Sequence, residues 1–217
     1  MTRISAVDRR ADLVRAALRV VARDGIAAAT TRRIVAEAGM SLASFHYAFR
    51  SRSELMGELV DAVLEGEERA LAPALRRPEV LASRSTMREV VRAGLQSYFD
   101  GVRADPDHEK AMFELTQWAL REPGYEELAR RQYDRYFELA RSSALAAAAV
   151  TGCAWSIPVD QVARALVVLT DGITMAWLVT RDDDAAAVAM DFAADALAGL
   201  AVAHPVPASP HSTAGER

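Results

Sequence analysis

Apolar residues recur at the three-and-four spacing of helices from near the start of the chain to about residue 202, and no stretch alternates in the manner of a strand. Residues 8–24 place Leu13, Ala17, Val20 and Val21 on one face and Arg15, Arg19 and Arg23, four apart, on the other, until Gly25 ends the helix. A short second helix follows, with Ile34, Val35 and Ala38 as its stripe and Thr30 or Thr31 as cap. Gly39 can then turn the chain in the left-handed conformation, with Met40 as an apolar plug at the corner. Ser41 caps a third helix anchored by Phe45 and Phe49, whose other faces carry Leu42, Ala43, Ser44, His46 and Tyr47. Ser51-Arg52-Ser53-Glu54 has capping-box spacing and opens a longer fourth helix carrying Leu55, Leu59 and Val63. Two helices joined by a tight glycine turn, the second exposing small polar and aromatic groups, predict a helix-turn-helix over about residues 30–49.

Helical spacing continues beyond. The fourth helix should fade between Pro73 and Pro78, and Thr86 to Glu89 forms a second capping box, opening a helix through Val90, Val91, Leu95 and Phe99. Pro106 suits the first turn of a helix reaching Glu122, Pro123-Gly124 breaks it, and Tyr125 to about Val150 forms a long helix ended by Thr151-Gly152. The last two helices, about 159–180 and 183–202, differ in kind. One is apolar nearly all round and the other is alanine-rich, with Met190, Ala194, Leu197 and Ala201 on one side, so both need cover on more than one face. Pairing with a second copy supplies that cover, and predicts a homodimer through about 159–202. Asp182, Asp183 and Asp184 read as a solvated helix N-terminus, not a metal site. The proline-containing segment 204–217 reads as a disordered tail.

The expected fold is therefore all-α: a three-helix head over 1–52, then a larger helical domain over 53–203, with about nine helices in all. Charge separates along the same line. Residues 1–52 hold ten arginines (3, 9, 10, 15, 19, 23, 32, 33, 50, 52) against four acidic residues, a balance of +6 in a chain whose net charge is −4, so the remainder carries −10. Such segregation concentrates attraction for phosphate at one end, which the overall acidic balance conceals. An opening MTRISAVDRR without an apolar core and a single cysteine, Cys153, point to a reducing cytoplasm. Val162 to Val179 is very apolar but carries Arg164 and Asp171, which favours a buried helix over a membrane span. His46, His108, His204 and His211 are scattered, Cys153 has no local histidine and no glycine-rich phosphate loop appears, so neither catalysis nor a cofactor is expected.

A leading helix, a Thr-Thr pair, Ala-Gly-x-Ser, the aromatic run Phe45-His46-Tyr47-Ala48-Phe49 and Ser-basic-x-Glu-Leu together resemble the tetracycline-repressor (TetR) family of bacterial transcription regulators over residues 8–64. The family pattern usually reads Gly-Val-Ser-Lys-Gly-Thr-Leu-Tyr-x-Tyr-Phe, and this chain departs from it at Met40, Leu42, Ala43, Ser44, Phe45, His46 and Ala48. Those departures bear on which operator is read. The resemblance implies a regulator binding a palindromic operator as a dimer paired through its two C-terminal helices. It also implies a small-molecule effector between helices five to eight. The candidate DNA contacts are Thr31, Arg32, Arg33, Ser41, Leu42, Ala43, Ser44, His46, Tyr47, Arg50 and Arg52, with Thr31, Tyr47, Arg50 and Arg52 as the phosphate clamp.

For an effector, the aromatic and methionine surface of Tyr98, Phe99, Met112, Phe113, Trp118, Tyr133, Phe137 and Trp177, with Gln117, Asp171 and Thr174 as polar groups on apolar stretches, would line a site for an apolar or aromatic molecule. Asp171 stands out, because a carboxylate in an apolar helix must find a partner. A repressor released by its effector is the expected function. An activator, or an effector-free architectural DNA-binding protein of the same fold, is the alternative.

Overall fold

The computed structural model describes residues 5–62 and 85–203. The expected course of the fourth helix through Val63 and the Pro73–Pro78 segment, and the expected tail over 204–217, lie outside the described residues. The N-terminal part comprises α1 (Ala6–Asp24), a 3-10 turn (Ile26–Ala28), α2 (Thr31–Glu37), α3 (Leu42–Ala48) and α4 (52–62). The rest comprises α5 (Met87–Ala104), α6 (Pro106–Ala119), α7 (Glu126–Thr151), α8 (Val159–Thr180) and α9 (Asp183–Ala198), an all-α architecture.

Local chemistry accounts for most boundaries. Ser5 caps α1 and Thr30 caps α2. Thr86 and Glu89 form both halves of a capping box on α5, and Asp105 caps α6 with Pro106 in its first turn. Gly152, at φ 64°, closes α7 in the left-handed region. Two expected helix ends move inward. Rather than reaching Glu122, α6 stops at Ala119, where turns leading to Gly124 (φ 86°) take over. Instead of running to 202, α9 stops at Ala198, because the chain there pairs with the segment after α7: β1 (Cys153–Trp155) and β2 (Ala201–Ala203) form a small antiparallel ladder with Ala154 opposite Val202. Three residues per strand are too few to show alternation in the sequence.

The head does not have a core to itself. Leu13, Ile34, Phe45, Phe49, Leu55 and Leu59 belong to one buried cluster with Met112 and Leu115 of α6 and Leu128 of α7. A second cluster joins α5, α8 and α9 around Phe99, Trp177 and Met190, with Ala186, Ala193 and Ala194 letting the backbones approach closely. Burying a residue such as Phe99 or Met190 contributes about 1.5–3 kcal/mol relative to leaving it exposed. Arg88 and Arg92 of α5 also reach Asp191 and Asp195 of α9, exposed to half-buried ion pairs that orient these helices more than they stabilise them.

Candidate functional site

The turn between α2 and α3 is built from hydrogen bonds between residues close in sequence. Thr30 accepts the Arg33 amide at 3.3 Å, Gly39 (φ 64°) donates to the Ala36 carbonyl at 3.1 Å, and Met40 donates to that of Val35 at 2.8 Å. Those last two bonds are a Schellman motif, which satisfies the carbonyls at the end of α2 and aims the chain into α3. Ser41 then accepts the Ser44 amide at 3.2 Å. Phe45 and Phe49, 1% exposed each and with ring centroids 5.7 Å apart, fasten α3 to the core. Its outer face presents Leu42, Ala43, His46 and Tyr47, the last 71% exposed, while Ser44 is half-buried. Across from Tyr47, the Arg9 guanidinium of α1 lies 5.1 Å from its ring centroid.

Most of the arginine excess is already engaged. Glu37 accepts from Arg19 at 2.9 Å and Arg23 at 3.1 Å, tying α2 to α1, and those bonds hold its carboxyl below the usual carboxylate range. Arg33 pairs with Asp24 at 2.8 Å, Arg15 with Asp12, and Arg10 with Glu54 and Glu58 while its guanidinium lies 4.2 Å from the Phe49 ring centroid. Arg52 departs from its expected place in the phosphate clamp. Its guanidinium turns inward and donates to the carbonyls of Ala29 at 2.7 Å and Ile26 at 2.6 Å. Those acceptors lie more than twenty residues upstream, so no local pattern announced them. Among the described residues, Arg32 and Arg50 enter no ion pair, and both are exposed beside the turn with Thr31. Glu54 meets only half of the expected capping box: Ser51 accepts the Glu54 amide at 3.0 Å, but the Glu54 carboxylate takes the amide of Arg50, at 2.8 Å.

One contact missed by the sequence reading ties the head to α6. The Ile26 amide donates to the Glu114 carboxylate of α6 at 2.6 Å, while the carbonyl of the same residue accepts from Arg52 of α4. Gly25 (φ 81°) makes room, since a Cβ there would lie 3.2 Å from Glu114 Oε1. The 3-10 turn is thus gripped from α6 on one side and α4 on the other.

The expected effector residues are not brought into one place. Met112, 4% exposed, is packed in the core shared with the head and has no surface left for a ligand, a correction to its expected role. Phe99, 2% exposed, is likewise core, packed edge-on against Trp177 with centroids 5.5 Å apart. Phe113, Gln117 and Trp118 line a shallow groove with Ile26, Glu114 and Arg121 beside the 3-10 turn. Trp177, 7% exposed, is core as well, its indole N–H donating to Asp183 at 2.7 Å, a further correction of the same kind. Tyr98, Tyr133, Asp171 and Thr174 form a polar centre between α5, α7 and α8, with Phe137 beside it. Tyr98 of α5 and Thr174 of α8 share a hydrogen bond of 2.7 Å, and Tyr133 of α7 donates to Asp171 of α8 at 2.8 Å. Tyr133 is 6.1 Å from Phe137, ring centre to ring centre, and burial pushes its hydroxyl up to about 12, so it stays a donor at neutral pH. Burial also raises the Asp171 carboxyl, against the lowering effect of the Tyr133 bond. Alongside, Gln132 accepts from Thr116 at 3.0 Å and donates to Tyr136 at 2.9 Å, a buried link that no sequence pattern signalled. No group of three or more metal-ligating side chains occurs among the described residues.

A rigid exposed helix after a glycine turn, backed by a helical domain with a polar centre, defines a helix-turn-helix transcription regulator. Residues 13–59 match the model for bacterial regulatory proteins of the tetR family, and residues 87–202 match that for the C-terminal part of BetI-type transcriptional repressors. The chain belongs to the TetR family and is a ligand-responsive transcriptional repressor. It is 33% identical over 181 residues, 83% of this chain and 89% of the relative, to the HTH-type nicotine-responsive transcriptional repressor HdnoR of Paenarthrobacter nicotinovorans. Among solved structures it is similar to the multidrug binding protein EbrR. The EbrR complex with ethidium is 30% identical at a TM-score of 0.62, covering 88% of this chain and 98% of that one. Its complex with imidazole is 26% identical at 0.64, covering 93% and 97%.

Proposed function

We propose that two copies of this chain bind a palindromic operator and release it when a small aromatic effector enters the C-terminal domain. The observation that carries this reading is an unpartnered apolar face on the last two helices, on the chain that also presents an exposed α3. By length and composition α8 could cross a membrane, but one of its faces is buried against neighbouring helices. Its other face exposes Val168, Met175 and Val179, and α9 exposes Val188 and Phe192, 69% exposed, one turn apart. Such a surface, on two long helices and continuous in chemistry, suits pairing with a second copy into a four-helix arrangement. A symmetric pair places two α3 helices to read half-sites about 34 Å apart.

In this reading Leu42, Ala43, Ser44, His46 and Tyr47 face base edges and sugars, and Thr31, Arg32 and Arg50 meet phosphates. Arg52 instead fixes the 3-10 turn. The effector acts between α5, α7 and α8, and the Glu114–Ile26–Arg52 link is the route by which a shift of α6 reaches the head. HdnoR responds to nicotine and EbrR binds ethidium, both aromatic nitrogen compounds, which supports an aromatic effector for this chain.

Footprinting of the purified full chain on the DNA upstream of its own gene tests the proposal. A protected palindrome whose protection requires the dimer is the expected result. Binding by a monomer, or no protected site across that region, would sink it.

A further inference from the structure

We infer that the effector is an organic cation, its positive nitrogen held by the Asp171 carboxylate within the polar centre between α5, α7 and α8. This rests on the ligand-responsive reading above and adds the charge of the ligand to it.

Asp171 is half-buried on α8, and its one recorded partner is the Tyr133 hydroxyl. Among the described residues no arginine, lysine or histidine reaches it. Several other acids of the C-terminal domain do have such a partner: Asp191 has Arg88 and Arg92, Asp183 has Arg103, and Asp160 has Arg141, whereas Asp134 and Asp184, which enter no ion pair among the described residues, are exposed to water. The nearest basic residue on its own helix, Arg164, lies two turns earlier with its guanidinium 4.5 Å from the Phe137 ring centroid, engaged elsewhere. A desolvated carboxylate with one neutral donor is costly to keep, and a packed core would be served better by an apolar residue there. A positive ligand removes that cost, whereas a neutral apolar one would worsen it.

The surroundings suit the same ligand. The Tyr133 ring lies 5.7 Å from that of Tyr136, so α7 sets aromatic surface beside the carboxylate, while the Phe137 ring, 6.1 Å from that of Tyr133, already carries the Arg164 guanidinium. Thr174, three residues after Asp171 and on the same face of α8, meets the Tyr98 hydroxyl at 2.7 Å. Aromatic faces attract a desolvated cation, and these hydroxyls can orient a ligand's polar atoms. Charge at Asp171, aromatic surface from α7 and a hydroxyl pair one turn along α8 together describe a receptor for an aromatic ammonium or quinolinium-like molecule.

The test uses the full-length protein with two probe pairs matched in shape but not in charge: 1-methylquinolinium against quinoline, and tetraphenylphosphonium against triphenylphosphine oxide. Tryptophan fluorescence titration at pH 7.5 should find each cation bound at least tenfold more tightly than its neutral counterpart. In Asp171→Asn that ratio should fall to about one, with a melting temperature no lower than wild type because the half-buried carboxylate has gone. An equal preference for the neutral probes, no binding of either cation, or an unchanged ratio in Asp171→Asn would overturn the inference. A melting temperature well below wild type would do the same, since it would make Asp171 a structural residue. A parallel gel shift with the footprinted DNA separates this from the broader reading: a neutral compound that releases DNA in wild type and variant alike leaves the regulator intact and removes only the charge.

Discussion

Arg52 shows how far a residue's role depends on what lies across from it. Beside the recognition turn in sequence, it reads as a phosphate contact, yet its guanidinium closes on the carbonyls of Ile26 and Ala29. Removing it leaves two backbone acceptors short of a charged donor, so Arg52→Ala should lower stability by about 1–3 kcal/mol in urea denaturation. The salt slope of DNA binding should stay near the wild-type value. Arg32→Ala and Arg50→Ala should show the opposite split, each reducing that slope by about one with little change in the urea midpoint. Equal effects on slope and stability from all three would contradict the assignment. Legible beforehand were the residues whose work is local: Thr30 and Ser41 as caps, Gly39 as the left-handed turn, Phe45 and Phe49 as anchors. Arg52 was not, because its acceptors come from another turn of the chain.

Among the elements, the 3-10 turn at Ile26–Ala28 has the most to do for its size. Its first amide is held by Glu114 of α6 and its first carbonyl by Arg52 of α4. Both helices therefore bear on the connection between α1 and α2. Glu114→Ala should leave operator affinity of the ligand-free protein within about threefold of wild type, yet reduce the 5- to 150-fold loss of affinity that an effector causes in a coupled regulator of ordinary strength. Gel shifts of both proteins, with and without a ligand that releases the wild type, measure it; a full response in the variant would mean the signal travels elsewhere. The helices themselves were readable from their caps, prolines and apolar stripes. The ladder between β1 and β2 was not, since three residues a strand fall below any period, and it is the reason α9 ends at Ala198.

On the scale of the whole molecule, the exposed faces of α8 and α9 carry the prediction. Charge placed there costs a monomer little, because surface positions tolerate substitution within about 0.5 kcal/mol. It would, however, be desolvated in a dimer. Val179→Asp combined with Phe192→Asp should turn a dimer into a monomer in analytical ultracentrifugation and abolish operator binding, while circular dichroism stays unchanged. A variant that remains dimeric would place the interface on another surface.

By itself the sequence determined the all-α class, the helix-turn-helix and the residues that α3 displays, because each rests on contacts within a few residues along the chain, where spacing and capping chemistry decide. The tertiary structure alone decided which charges are spent inside the head and that Asp171 lies half-buried between helices with a hydroxyl rather than a cation as its partner. It also showed that Met112 and Phe99 are core rather than lining. Those outcomes depend on which helices lie side by side, and an ion pair or a buried ring is settled by the neighbour that arrives from far along the chain.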